Sequence, residues 1–320
     1  MASRIIAPRC HEIRDVRTRP HDAGAPVKPA PFAYHAARSV DEAVGLLAEH
    51  GGEAKVLAGG QSLIPVMSFR LAQPAALVDV NGVAELDFVE ETAEGGLSIG
   101  ALARLGRLER DPRVAALAPL LAAALPHVAH PQIRNRGTAG GSLAHADPAA
   151  ELPCLAVALD ARLRLAGPDG ERRIAARDFF YGLFATALAP DELLAEIELP
   201  PRPAGEGWSF REVARRHGDY AQVGIAARLA VGGDGRIASA RLVYLSVGDA
   251  PVVAERAAAA LTGEAPGDDA FAAAAAVAAD EEIEPADDIH ATADFKRHLA
   301  RALTRRALAE AADRAGAETS

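Results

Sequence analysis

The first regular pattern of hydrophobic positions begins at Phe32 and Tyr34, which alternate as a short strand, and continues at Val40, Ala43, Val44 and Leu47 with the spacing of one helix face. Ser39 with Glu42 three residues later reads as a capping box, and the Gly51-Gly52 pair as the stop. A second apolar run closes at Val56 and Leu57, then breaks at Gly59-Gly60, where two β-carbons in succession are missing and Gln61 and Ser62 supply small polar groups. This opening predicts a βαβ-like unit whose loop lies at the carboxyl end of a strand, the place where ligands bind in such folds. Residues 76–80 follow as a strand ended by the Asn81-Gly82 turn, residues 97–100 as another, residues 103–110 as a helix, and residues 114–128 as a long helix whose exit is marked by Pro131. A second glycine pair, Gly140-Gly141, comes next, then Asp147, Pro148 and Glu151 and an apolar helix through Leu159.

Further on, residues 163–165 and 172–174 form a predicted hairpin about the Gly-Pro-Asp-Gly turn at 167–170. Residues 178–181 make a short aromatic connection, and residues 193–199 alternate as a strand. Pro200, Pro201 and Pro203 with Gly205 and Gly207 mark a boundary. Beyond it the pattern predicts strands over 208–213, 224–231 and 240–247. Two helices end the chain, over 251–261 and through Leu308, the second interrupted by an acidic loop at 280–288. Residues 1–30 mix Arg, His and Pro without apolar periodicity and read as an extension.

Composition narrows the function classes. Half of the 320 residues are hydrophobic, enough for two or three cored domains. The net charge of -10 argues against a general affinity for nucleic acid or anionic membrane. Two cysteines, Cys10 and Cys154, cannot build a disulfide framework, and Cys154 lies in an apolar run as a core residue; a reducing compartment, the cytoplasm, is expected. No charge-free apolar stretch of membrane-spanning length and no signal-peptide core are found. His127, His130 and His145 match neither HxxxH nor HExxH spacing, so no protein-held metal is expected, and no nucleophile elbow stands out.

The chemistry-bearing stretches are the two glycine loops. Either one alone reads as an ordinary turn, and neither matches the GxGxxG or GxxxxGK[ST] fingerprints. Together they could hold the two phosphates of one dinucleotide on backbone N–H groups, with hydroxyls of Ser62, Thr138 and Ser142 adding hydrogen bonds.

Taken in order, AGGQSLIP at 58–65, HPQIRNRGTAGGSLAHADPAAELP at 130–153 and RRHGDYAQ at 215–222 resemble the FAD-binding medium subunits of the molybdenum hydroxylases, the group of carbon monoxide dehydrogenase and xanthine dehydrogenase. The resemblance runs from about Pro31 to Ala309. It implies an α+β fold in which two α/β subdomains of the PCMH type, about 31–83 and 84–203, clasp FAD. A C-terminal flavoprotein domain at 204–312, with a three-stranded antiparallel sheet and helices, would follow, then a tail at 313–320. It implies that Leu57, Ala58, Gly59, Gly60, Gln61, Ser62 and Leu63 in the first loop, and Thr138, Ala139, Gly140, Gly141 and Ser142 in the second, hold the FAD pyrophosphate and ribityl chain.

The family's carboxylate after the second loop, usually Asp, falls on Glu151, with Asp147 as its rival; Leu194 matches a position packed on the flavin ring, and Tyr220 an aromatic near it. Arg211, in preference to Glu212, falls where relatives often carry a lysine, and Val128 replaces an aromatic of some relatives. Arg134, Asn135 and Arg136 offer either a docking surface or a solvated turn. The implied partners are a molybdopterin-containing large subunit and a [2Fe–2S] small subunit in a dimer of heterotrimers. Two cysteines are too few to hold such a cluster here. The expected function is electron transfer through FAD to an external acceptor. The competing readings are a self-contained flavin oxidase or dehydrogenase with its own small substrate, and a nucleotide-binding protein without redox turnover.

Overall fold

The computed structural model describes residues 28–318; the expected extension at 1–30 therefore lies outside them except for its last three residues. The opening strand Ala33–Ala36 and the strand Ala54–Leu57 flank a central strand Ala76–Asp79 in a parallel sheet, in register so that Ala36, Leu57 and Asp79 end on one edge. The helix Val40–His50 crosses between the first two and buries Ala43, Val44 and Leu47. Its cap is close to the expected box: Ser39 Oγ accepts from Glu42 N at 3.1 Å, while Glu42 reaches back one residue further, accepting from Arg38 N at 2.8 Å.

A second, antiparallel sheet orders its strands Val89–Glu91, Leu97–Gly100, Leu193–Leu199, Arg162–Gly167 and Gly170–Ala175. The helix Ala139–His145 covers it, the helix Glu151–Ala158 lies between it and a third sheet, and together they enclose the largest core among the described residues. The third sheet carries the expected three long antiparallel strands, Glu206–Ala214, Ala221–Val231 and Ile237–Leu245, with a two-residue fourth, Val252–Val253, at its edge. The helix Ala293–Glu318 packs along it and is pinned by the buried Tyr244 hydroxyl, 2.6 Å from Thr304 Oγ1. This is the α+β architecture expected from the sequence.

Several elements differ from the sequence reading: the strand Val89–Glu91 is added, and the last helix runs past Leu308 to Glu318, so the expected tail from 313 is helical up to there. The long helix over 114–128 is two, Pro112–Leu117 and Pro119–Ala124, followed by a 3₁₀ turn Leu125–His127. Pro119 has no N–H to continue the first helix and holds Ala118 out of the helical region at φ -135°. The helix over 103–110 contracts to Leu105–Leu108, because the backbone before it pairs with the second glycine loop: Ala139 N donates to Ala103 O and Leu105 N to Gly137 O, both at 3.0 Å. The helix expected from 251 begins at Glu255, since Val252 and Val253 are spent on the edge strand.

Candidate functional site

The two glycine loops touch. A β-carbon on Gly59 would lie 2.9 Å from Gly137 Cα and closer still to the Arg136 carbonyl, and one on Gly141 would meet Ala58 Cβ at 3.8 Å. Gly60 has φ +72°, the left-handed region that favours glycine. Gln61 turns its amide back onto Gly59 O at 3.0 Å, and Ser62 opens the short helix Leu63–Ser68 without capping it. Among the described residues no acceptor is paired with the N–H groups of Gly59, Gly60, Gln61 and Ser62. A run of open donors at the end of a buried strand is an anion-binding concavity.

The second loop is built differently. Thr138 Oγ1 caps the helix Ala139–His145 by accepting from Gly141 N at 3.1 Å, and Gly140 N donates to Ala101 O at 2.9 Å. A β-carbon on Gly140 would sit 2.9 Å from both Cα and O of Ala101. Gly140 is therefore demanded first by the helix's approach to the five-stranded sheet, and the open donors belong to the first loop. Ala139 is buried with Thr138, and Ser142 is half-buried beside them.

Beyond the loops lies an acidic cluster. Glu151, at the first position of its helix, is 6% exposed. Burial, and then the nearby Glu212 carboxylate, push its pKa up to about 7. The Glu212 side chain is itself 6% exposed; Oε1 lies 3.3 Å from His127 Nδ1, and Oε2 has no partner among the described residues. The contact with Glu212 raises the His127 pKa. Asp147 is occupied locally, its carboxylate accepting from Ala149 N at 2.9 Å. Tyr220 is exposed, and local desolvation of its hydroxyl and the nearby carboxylates of Asp147 and Glu151 raise its pKa. The GDYA stretch docks on the second motif: at Gly218, φ +87°, a β-carbon would fall 2.5 Å from the His130 ring.

Other expected site residues have protein neighbours of their own. Strand alternation sends Arg211 and Glu212 to opposite faces, so Arg211 pairs with Glu310 of the final helix at 2.8 Å. Glu212, not Arg211, joins the cluster. Leu194 is 3% exposed in the main core, and Val128 is buried there too. Arg134 is no docking residue: it is buried, forks onto Glu109 at 2.8 and 2.9 Å, and donates to Val128 O and Ala129 O. Asn135 and Arg136 are exposed. Cys154 is buried, its thiol donating to Val243 O. His145 packs 5.0 Å from the Phe184 ring, so His127, His130 and His145 face different neighbours. Asn81 and Arg104 carry no site signal in the sequence beyond the Asn81-Gly82 turn, and Glu212 stands there only as the alternative to Arg211.

The buried carboxyl makes stability depend on pH. Folded Glu151 holds its proton more tightly than the unfolded chain does, so stability falls as pH rises from about 4.5 to 7 and stays reduced above that. In FAD-free protein E151Q is expected to be more stable than the parent at pH 8, by about 3 kcal/mol, with the gap closing near pH 5. Urea unfolding at the two pH values checks this; a gap independent of pH would refute the raised pKa.

A family profile described as the FAD binding domain in molybdopterin dehydrogenase matches residues 30–202, and one described as the CO dehydrogenase flavoprotein C-terminal domain matches residues 208–311. The chain is 39% identical over 289 residues to the 6-hydroxypseudooxynicotine dehydrogenase complex subunit alpha of Paenarthrobacter nicotinovorans, covering 90% of this chain and 97% of the relative. The solved carbon monoxide dehydrogenase of Hydrogenophaga pseudoflava superposes with a TM-score of 0.86 at 41% identity, over 89% of this chain and 99% of that one. Quinoline 2-oxidoreductase of Pseudomonas putida 86 superposes with a TM-score of 0.85 at 42% identity, over 89% of this chain and 98% of that one. The fold, the profiles over both parts of the chain and these relatives place it in one family: the protein belongs to the FAD-binding medium subunits of the molybdenum hydroxylases, and it is an oxidoreductase subunit that carries FAD.

Proposed function

We propose that FAD lies along the junction of the two glycine loops, with its pyrophosphate on the open N–H groups of residues 59–62. Thr138 to Ser142 form the opposite wall, and Glu151, Glu212 and Tyr220 face the cofactor's polar arm and ring. The observation that carries this reading is the meeting of four backbone donors that have no acceptor among the described residues with a loop–loop contact that only glycine permits. The buried Glu212 Oε2, which lacks a donor among the described residues, fits a hydroxyl- or N–H-bearing ligand beside it. Bound FAD supplies the redox chemistry, whereas the chain binds, orients and shields.

In the same reading the chain divides into an FAD domain at 31–203 and a flavoprotein domain at 204–312. It works in the cytoplasm beside a molybdopterin-containing large subunit and a [2Fe–2S] small subunit, in a dimer of heterotrimers, and hands electrons from the clusters to an external acceptor. Among the described residues no helix is long and apolar enough to cross a membrane. Substrate choice then belongs to the molybdenum subunit.

Co-expression of the chain with the products of its neighbouring genes tests the assembly. The expected outcome is a yellow-brown complex in which substrate reduces the flavin only when all three subunits are present. A chain that reduces its own flavin with a small substrate, and never associates with molybdenum or iron–sulfur subunits, would overturn the assignment.

A further inference from the structure

Two side chains outside both loops hold them in place. Asn81 follows the central strand of the parallel sheet, and its Nδ2 donates to Ala58 O at 2.9 Å and reaches Leu57 O at 3.4 Å, gripping the residues that lead into Gly59. Asp79 fixes the amide from behind, accepting on Oδ1 from Asn81 N at 2.8 Å and Nδ2 at 2.6 Å, while its Oδ2 accepts the Tyr34 hydroxyl at 2.5 Å. On the other side Asn81 Oδ1 accepts from Arg104 Nη2 at 2.6 Å. Arg104 Nη1 then donates to the Arg136 carbonyl, the same group that abuts Gly59. Arg104 is placed for this by its backbone, which bridges Thr138 of the second loop. One hydrogen-bonded chain thus runs from the first strand, across the carboxyl edge of the sheet, into both glycine loops.

The chain also leaves positive charge at the junction. No carboxylate is paired with Arg104 or Arg136 among the described residues. Desolvation, and then the Arg136 charge, lower the Arg104 pKa, and the nearby Asp87 and Asp79 carboxylates offset this only in part. Such a pair is offset when an anion enters.

We propose that Asn81 and Arg104 act as a single bolt that sets the gap between the two loops, and that they are positioning residues for the FAD pyrophosphate. The inference rests on the reading that places the cofactor at these loops. Because the bolt's hydrogen bonds are exposed, water replaces them when they are cut, so cofactor affinity suffers while the fold stands.

The test uses the full-length chain, stripped of flavin and titrated with FAD by fluorescence, with melting of the FAD-free form followed in parallel. R104M and N81A are each expected to weaken FAD binding about tenfold with unchanged melting, and R104K to recover part of the loss because it keeps the charge. The double variant should be no weaker than the poorer single one, as for two parts of one device. Unchanged affinity in R104M, additive losses in the double variant, or losses that follow a fall in melting temperature would each overturn the bolt. G60V, whose left-handed φ no valine adopts without strain, separates the two levels. If G60V loses FAD while R104M binds it normally, only the bolt fails; if G60V binds FAD normally, the placement of the cofactor fails and the bolt with it.

Discussion

Replacing Gly59 with valine is expected to give a colourless protein. The new side chain has no free direction: its β-carbon starts on the Arg136 carbonyl and 2.9 Å from Gly137 Cα, so the two loops must part. Backbone cannot rotate away as a side-chain tip can, and forcing it apart costs about 1–3 kcal/mol of stability, as overpacking generally does. The larger effect falls on FAD. Separation of the loops spoils the geometry of the open donors at 59–62 and their spacing from the Thr138 wall at once. Gly45 is the control, because a β-carbon there meets nothing within 4 Å on the Val40–His50 helix. G45A should keep its flavin and gain up to about 1 kcal/mol of stability from the better helix former. Visible flavin absorbance after gel filtration reads both variants, and a yellow G59V protein with parental FAD content would refute the two-loop clasp.

The second large effect is expected at Arg134. Its guanidinium is buried with two hydrogen bonds to Glu109 and two more to the carbonyls of Val128 and Ala129, which close the turn after the Leu125–His127 segment. Removing one partner of such a pair strands the other, and R134A is expected to cost about 3–5 kcal/mol. Melting should fall by on the order of 10 °C. R134K should recover little, since an ammonium cannot fork onto the carboxylate and reach the carbonyls as well. Thermal unfolding followed by circular dichroism measures this, and parental melting of R134A would show the buried network to be energetically idle. The two arginines of the RNR stretch therefore do different work. Arg134 holds the loop from inside, and Arg136 presents its carbonyl to Gly59 and its charge to the junction.

Much of the site was legible because its signals are local. A glycine pair after an apolar run names a loop at a strand end whatever surrounds it, and Thr138 with Gly141 three residues on is a cap written in adjacent residues. The sequence favours Arg211 over Glu212 because relatives often carry a lysine at this place, and Arg211 is the basic residue of the two. The choice between two neighbours on a strand depends on which face meets the cluster, and that depends on the sheet's packing against Glu151 and His127. Leu194 shows the same limit from the other side: an apolar residue at a bulge reads alike whether it meets a flavin or the core. The broken helix at Pro119 was, by contrast, readable from the residue itself.

The amino-acid order alone determined most of the regular elements and the two glycine loops, which periodicity and turn chemistry set locally, and it carried the three motifs whose resemblance implied the family and its α+β class. The tertiary structure decided why the glycines are needed and who holds them. Asn81, Arg104 and Arg136 lie on separate segments of the sequence, and their hydrogen bonds exist only once the parallel sheet and the Thr138 loop are packed together. A contact between distant segments leaves no periodic trace in either, so Gly59 looks like a ligand's glycine until the fold brings the Arg136 carbonyl against it.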